Sequence, residues 1–272
     1  MPTMEDVDPS ILYCLFKGEP GTRKSTEALS FPLPQYWASI DKKMESINIP
    51  MRKWGISKKD VEFDDYNDYN SLRAKLESFQ PSGRCILRDN RKIATLVIDS
   101  VTSLGDVIGL QTRNAKGGTR KSGEDAGRQV AGIKINEYED YNAEASAFQE
   151  LQSILKDIHK YHKVNVILIA HVIQTQQKSP DGKTHFARSI VTGGKIAAAK
   201  IPVYASEIYH FNMKMSLNAD SGGQYGLLTT HTGDDFARTA LPLPSEIMFG
   251  DDRLYDKFLV PAIKAMKGDI SI

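Results

Sequence analysis

Four short, almost uniformly apolar runs constrain this chain most: ILYCLF (11–16), YWASI (36–40), ATLVID (94–99) and NVILIA (165–170). A strand with one wet face alternates apolar and polar residues, whereas these runs carry apolar side chains at successive positions. That pattern suits strands buried on both faces, as in a parallel sheet covered by helices. Helical patterning fills the intervals. In 142–163, Phe148, Leu151, Leu155 and Ile158 recur at spacings of three and four, and in 67–79 Leu72, Leu76 and Phe79 fall on one stripe. Strand, helix and strand in this order predict an α/β fold with a mostly parallel central sheet flanked by helices. Beyond residue 200, SEIYHFNMKM and QYGLLTTHT predict antiparallel strands at one edge, joined by a turn at 218–223.

The 272 residues suffice for one sizeable core. The expectation is a single domain over 1–272, with a core at 11–211 and C-terminal edge strands and tail at 212–272. A formal net charge of +1 carries no overall polyanion signature, so any nucleic-acid contact must come from local basic segments. Two cysteines, Cys14 and Cys85, are too few for a disulfide framework or a cysteine-rich metal site. No apolar run approaches the roughly 18 residues that span a bilayer. The acidic opening MPTMEDVDPS is unlike a secretory leader. A cytoplasmic protein with no membrane partner is the expectation.

The stretch GEPGTRKST (18–26) follows the first apolar run and precedes a helical pattern. Gly18-x-x-x-x-Arg23-Lys24-Ser25 departs from the phosphate-loop pattern G-x-x-x-x-G-K-[ST] at Arg23 alone. Gly18 and Gly21 let backbone N–H groups turn inward around phosphate oxygens, and the helix N-terminus adds partial positive charge. Glu19, Pro20, Thr22, Arg23 and Thr26 complete the cradle. Lys24 would reach the β- and γ-phosphates of ATP, while the Ser25 hydroxyl would ligate Mg²⁺. Arg23 supplies the same N–H as glycine but adds a Cβ and a long cation. That restricts the approach to the β-phosphate unless the side chain points away. The plainer alternative is a Gly/Pro-rich turn carrying solvated cations.

Three strand ends extend the pattern. ATLVIDSVTSL ends its apolar run in Asp99, a candidate to hold a magnesium-bound water beside a phosphate loop on a neighbouring strand; a turn or helix cap is the simpler role. NVILIAH ends in His171, a candidate γ-phosphate sensor or an ordinary hydrogen-bonded strand end. Asp41, after the second run, is the nearest candidate to orient a water for hydrolysis. Two segments, 111–140 and 173–194, are Gly-rich or polar and long, which inside a compact domain marks function or disorder rather than scaffold.

With these pieces in order, the chain resembles the RecA-type recombinase core, most of all the small phage-encoded RecA-like ATPases linked to single-strand annealing. The resemblance covers most of 11–211 and rests on GEPGTRKST, LVIDSVTSL (96–104), VILIAH (166–171) and TGGKIAAAKIPVYASEIYHF (192–211). It implies an ATP-dependent ATPase of recombination, annealing or repair that binds single-stranded DNA. Segments 111–140 and 173–192 would face that DNA. The first brings Arg113, Lys116, Arg120, Lys121 and Arg128; the second brings Lys178, Lys183 and Arg188 beside His185 and Phe186. Such cations track phosphates, and an aromatic ring stacks on a base without reading sequence.

The resemblance further implies self-association into a ring or filament with ATP between subunits, and a single-strand-binding protein as a further partner. A neighbour's Arg188, Lys195, Lys200 or Arg238 would then complete the site. A phage-encoded protein would act in the host cytoplasm. Three positions depart from the family: Arg23, Lys43 where the family has its catalytic glutamate, and His171 where a glutamine is common. All three fall on the hydrolysis machinery, so slow turnover is expected. A non-hydrolysing nucleotide-gated assembly module is one alternative. A P-loop kinase using GGTRKSGEDAGR (117–128) as a lid is another.

Overall fold

The computed structural model describes residues 8–81, 83–116, 129–130, 133–134, 138–178, 184–192, 195–214, 224–232 and 235–269. The first apolar run forms β1 (Tyr13–Gly18), which leads into the short helix α1 (Lys24–Ala28). Then come β2 (Gln35–Ser39), α2 (Asn48–Lys53), β3 (Val61–Asp65) and α3 (Tyr69–Glu77). Next are β4 (Thr95–Asp99), α4 (Val101–Lys116), a small ribbon of β5 (Gln129–Val130) and β6 (Ile133–Lys134), and α5 (Tyr138–His162). β7 (Asn165–Lys178) and β8 (Thr184–Ile190) pair as a hairpin. The chain continues through α6 (Lys195–Lys200), β9 (Glu207–Lys214), β10 (Gln224–Leu228), β11 (Glu246–Phe249) and α7 (Val260–Met266).

The main sheet runs β11-β10-β9-β1-β7-β4-β2-β3, with β8 attached to β7. It is parallel from β9 through to β3, and β10 and β11 add antiparallel pairings at the other edge. All six residues of β1 are buried because helices cover both faces. Alternation along the strand sends Tyr13 and Leu15 to one core, with Leu72, Leu104, Phe148, Leu151 and Leu155 from α3, α4 and α5. Cys14 and Phe16 face the other core, with Leu29, Met51, Leu259 and Ile263. The fold is the α/β arrangement, a mostly parallel sheet between layers of helices, that the apolar runs predict.

The structure corrects several expectations. β4 is not the neighbour of β1, because β7 lies between them. Segment 173–194 is no structureless loop: β7 runs on to Lys178, and β8 returns antiparallel with Val172 opposite Ile190 and Gln174 opposite Arg188. A polar ladder beyond the core satisfies its backbone groups by mutual pairing, so it needs no apolar pattern. In 111–140 helix α4 reaches Lys116, β5 and β6 form a short ribbon, and α5 begins at Tyr138, so the described part of the segment is regular structure. β3 and β11 were not foreseen. The burial of β3 alternates, and its sequence VEFDD carries three acids at the sheet edge, which hides the strand signal.

Candidate nucleotide site

The carboxyl ends of β1, β7, β4 and β2 meet along one sheet edge, where parallel α/β sheets bind ligands. Gly18 pairs with His171, Asp99 with Ile169, and Ser39 with Asp99. The loop after β1 starts where only glycine fits: a Cβ on Gly18 would lie 2.4 Å from the Phe211 carbonyl oxygen. Gly21 has φ +81°, the left-handed region that favours glycine. Thr22 Oγ1 donates to the Glu19 carbonyl at 2.7 Å and closes the turn.

Lys24 is 4% exposed, and its ammonium folds back onto the loop. It donates to the carbonyls of Gly18 at 2.9 Å and Glu19 at 2.7 Å. Burial pushes its pKa down to about 8 against the pull of Asp99, Asp41 and Glu19. Ser25 Oγ donates to Asp99 Oδ2 at 2.8 Å, so residues from β4 and α1 meet across the intervening β7. Burial raises the Asp99 carboxyl pKa, against the Ser25 hydrogen bond, and the charge of Asp41 raises it further. Asp41 accepts from Ser100 Oγ at 2.9 Å and lies 3.4 Å from His171 Nε2. Burial alone would raise its pKa, but hydrogen bonds from His171, Ser103 and Ser100 outweigh that and hold it near about 2. Asp41 is thus a carboxylate at neutral pH. The His171 backbone N–H is anchored to Thr102 Oγ1 at 2.9 Å, while its buried Nδ1 has no hydrogen-bond partner among the described residues. Lys43 and Glu45, further along the loop, are exposed.

Arg23 is left-handed, φ 68° and ψ 13°, a conformation that costs an L residue roughly 1–2 kcal/mol. Glycine ordinarily holds this place for that reason. Its side chain turns away from the loop interior: the guanidinium lies 2.7 Å from Glu27 Oε1, donates to the Gly250 carbonyl, and stands 5.2 Å from the Tyr225 ring centroid. The steric objection to a large residue at this position therefore does not arise. Pro20 and Thr26 lie in the loop and in α1 as the motif requires.

The expected DNA-facing residues fare unevenly. Arg120, Lys121, Arg128 and Lys183 lie outside the described residues. Arg113 and Lys116 are on α4, Lys178 on β7, and His185 and Phe186 on β8, their side chains lying outside the description. Arg188 is described, and it is engaged: Nη1 donates to Asp235 Oδ2 at 2.7 Å, and Nε stands 3.9 Å from Glu19 Oε1 of the phosphate loop. Among the expected neighbour-completing cations, Arg238 is occupied by the carbonyls of Pro202, Val203 and Ala205. Lys200 Nζ donates to Gln149 Oε1 at 3.0 Å, and the side chain of Lys195 lies outside the description.

Sequence reading missed Ser100, Thr102 and Ser103, which hold Asp41 and His171; the run DSVTS after an acidic strand end was the available signal. It also missed a second buried charge cluster of Lys17, His210 and Asp235. Lys17 interrupting an apolar strand was a visible cue, whereas nothing distinguished Asp235 in TGDDFAR.

A phosphate-type loop at the carboxyl edge of a mostly parallel sheet, with a serine hydroxyl on a strand-end aspartate, defines a P-loop nucleoside-triphosphatase core. The chain belongs to a family described as AAA domain, whose profile matches residues 12–241. No curated protein sequence matches it. Among solved structures it is similar to the crystal structure of the RadB recombinase, with 12% identity, coverage of 83% of this chain and 84% of that one, and a TM-score of 0.41.

Proposed function

We propose that this protein is a Mg²⁺-dependent ATPase that couples nucleotide binding to single-stranded DNA in recombination, strand annealing or repair, working as an oligomer. The observation that carries the nucleotide part is the 2.8 Å Ser25–Asp99 contact beside the buried Lys24. A hydroxyl and one carboxylate are hard oxygen donors, the set that suits a Mg²⁺ keeping its waters and taking its other ligands from phosphates. Ser25 and Asp99 would hold the ion, which would supply positive charge to offset that of the phosphates. Lys24 would exchange the Gly18 and Glu19 carbonyls for the β- and γ-phosphates. Asp41, ionised and hydrogen-bonded by Ser100 and His171, would hold an attacking water.

The DNA part rests on β7. One strand carries His171 at the nucleotide edge and continues into the hairpin that bears Lys178 and Phe186, which gives a continuous backbone path between the two sites. DNA contact falls to Arg113, Lys116, Arg120, Lys121, Lys178, Lys183 and Phe186. Arg188 instead braces the hairpin root against Asp235 and the phosphate loop. A second reading, a nucleotide-gated assembly module without turnover, draws support from Lys43, which stands exposed where a catalytic glutamate would be. Single-stranded DNA binding by fluorescence anisotropy, at fixed salt and with and without an ATP analogue, tests the proposal. Binding should strengthen with nucleotide and lose that response in Lys24→Ala. DNA affinity indifferent to nucleotide in the wild type would remove the coupling. Phosphate release stimulated by DNA would exclude the second reading.

A further inference from the structure

We infer that Arg23 is a positioning residue that locks the phosphate loop to the C-terminal segment 246–256, so that nucleotide binding and the docking of that segment are energetically linked. The inference rests on the nucleotide reading of the loop, and adds to it an element far away in sequence. Three contact types converge on one guanidinium. It pairs with Glu27, whose side chain is fully buried; it donates to the Gly250 carbonyl; and it packs on the ring faces of Tyr225 and Phe249 at 5.2 and 5.4 Å. A planar fork of donors that also stacks on aromatic rings is what this setting requires, and lysine cannot reproduce it.

Glu27 carries the connection onward. Its Oε2 accepts the Leu254 N–H at 2.8 Å, and the next residue, Tyr255, donates its N–H to Ser30 Oγ, just past the end of α1, at 3.1 Å. Glu27 N–H in turn bonds to the Arg23 carbonyl at 2.9 Å, which closes a circuit from loop to helix to segment and back. Burial pushes the Glu27 carboxyl up to about 7, and removing the guanidinium would take away the stronger of the two cations, Arg23 and Arg253, that favour its charged form. Arg23 also stands directly before Lys24, so any shift of its backbone moves the cradle. A nucleotide that fixes the loop must therefore tighten segment 246–256, and the segment must aid the nucleotide by the same factor.

The test uses the full chain. A fluorescent ATP analogue with Mg²⁺ is titrated into wild type, Arg23→Gly, Arg23→Lys and Tyr225→Leu, and amide hydrogen exchange is followed across 246–256 with and without nucleotide. Glycine restores the usual motif and relieves the left-handed backbone, so motif resemblance alone predicts tighter binding. The lock predicts the reverse: about tenfold weaker binding in Arg23→Gly, with Arg23→Lys intermediate. Tyr225→Leu, which leaves the loop's own sequence intact and guards against a folding defect in the glycine variant, should also weaken binding. Nucleotide should slow exchange at 246–256 in wild type and fail to do so in Arg23→Gly. Equal or tighter binding by Arg23→Gly, or exchange at 246–256 that ignores nucleotide in the wild type, overturns the lock. A wild type that does not bind the analogue overturns the nucleotide reading itself, and the lock with it.

Discussion

Lys17 and Lys24 flank the phosphate loop, are 3% and 4% exposed, and are both pushed by burial to a pKa of about 8. Their surroundings separate them. Three carboxylates, Asp99, Asp41 and Glu19, favour the charged form of Lys24, and its hydrogen bonds go mainly to loop carbonyls that a phosphate can replace. Lys17 stands opposite Ala170 and His210 and feels one carboxylate, Asp235, whose effect Arg188 opposes. Asp235 is already committed to Arg188 at 2.7 Å and lies 3.2 Å from His210. Among the described residues Lys17 makes no hydrogen bond or ion pair of its own. A buried cation does not by itself make a phosphate site; exchangeable partners and nearby hard oxygen donors do.

The sharpest way to break this comparison is to remove each lysine in turn. Lys24→Ala should weaken ATP-analogue binding by about 100-fold or more, the scale of losing a preorganised charge contact. Lys17→Met should leave the same affinity within about twofold. Equal losses in both variants would mean that the two lysines serve one site. Asp99→Asn comes next: the gain in affinity that Mg²⁺ confers on wild type, about tenfold or more, should vanish, while affinity in chelator stays unchanged. A variant that still responds to Mg²⁺ would move the metal away from β4.

Much of this was legible because buried parallel strands write themselves as apolar runs, and the groups that end them stand out as polar punctuation. Asp99 and His171 are of that kind, and Lys24 and Ser25 open the helix after the first run's loop. Their grouping was less legible, since strand order is not written in any single run; β7 between β1 and β4 changes which loops are neighbours without altering either motif. The partners of Arg23 were invisible for a related reason. Tyr225, Phe249 and Gly250 lie some two hundred residues downstream, in edge strands whose signal is weak. The β7–β8 hairpin was hidden because a ladder outside the core has no need of hydrophobic patterning.

The shared pKa gives a pH test with opposite signs for two properties. A phosphate needs the charged ammonium of Lys24. Nucleotide affinity should therefore be level up to pH 8 and fall above it by up to about tenfold per unit, a fall absent in Lys24→Ala. Stability of the free protein runs the other way. Both lysines titrate at about 8 when folded and near 10.5 when unfolded, so between these values the unfolded chain holds more protons and stability rises with pH. Thermal melts against pH, compared with binding isotherms over the same range, separate the two trends. Parallel rather than opposed trends would show that Lys24 is not the charge the nucleotide meets.

The smallest expected effect falls on Lys17 itself. Replacing a buried, weakly compensated ammonium by an apolar chain of similar length removes a desolvation cost and leaves Asp235 its contact with Arg188. Lys17→Met should therefore be neutral or stabilising by about 1 kcal/mol at pH 7, a rise in melting temperature of a few degrees at most. Because Lys17 loses its charge at alkaline pH, that gain should shrink between pH 8 and 10 as the wild type sheds the same cost. A strong destabilisation instead would mean that Lys17 balances Asp235 and His210 as an indispensable counter-charge. The contrast between the two lysines would then be one of exchangeable against permanent partners, rather than of paired against unpaired charge.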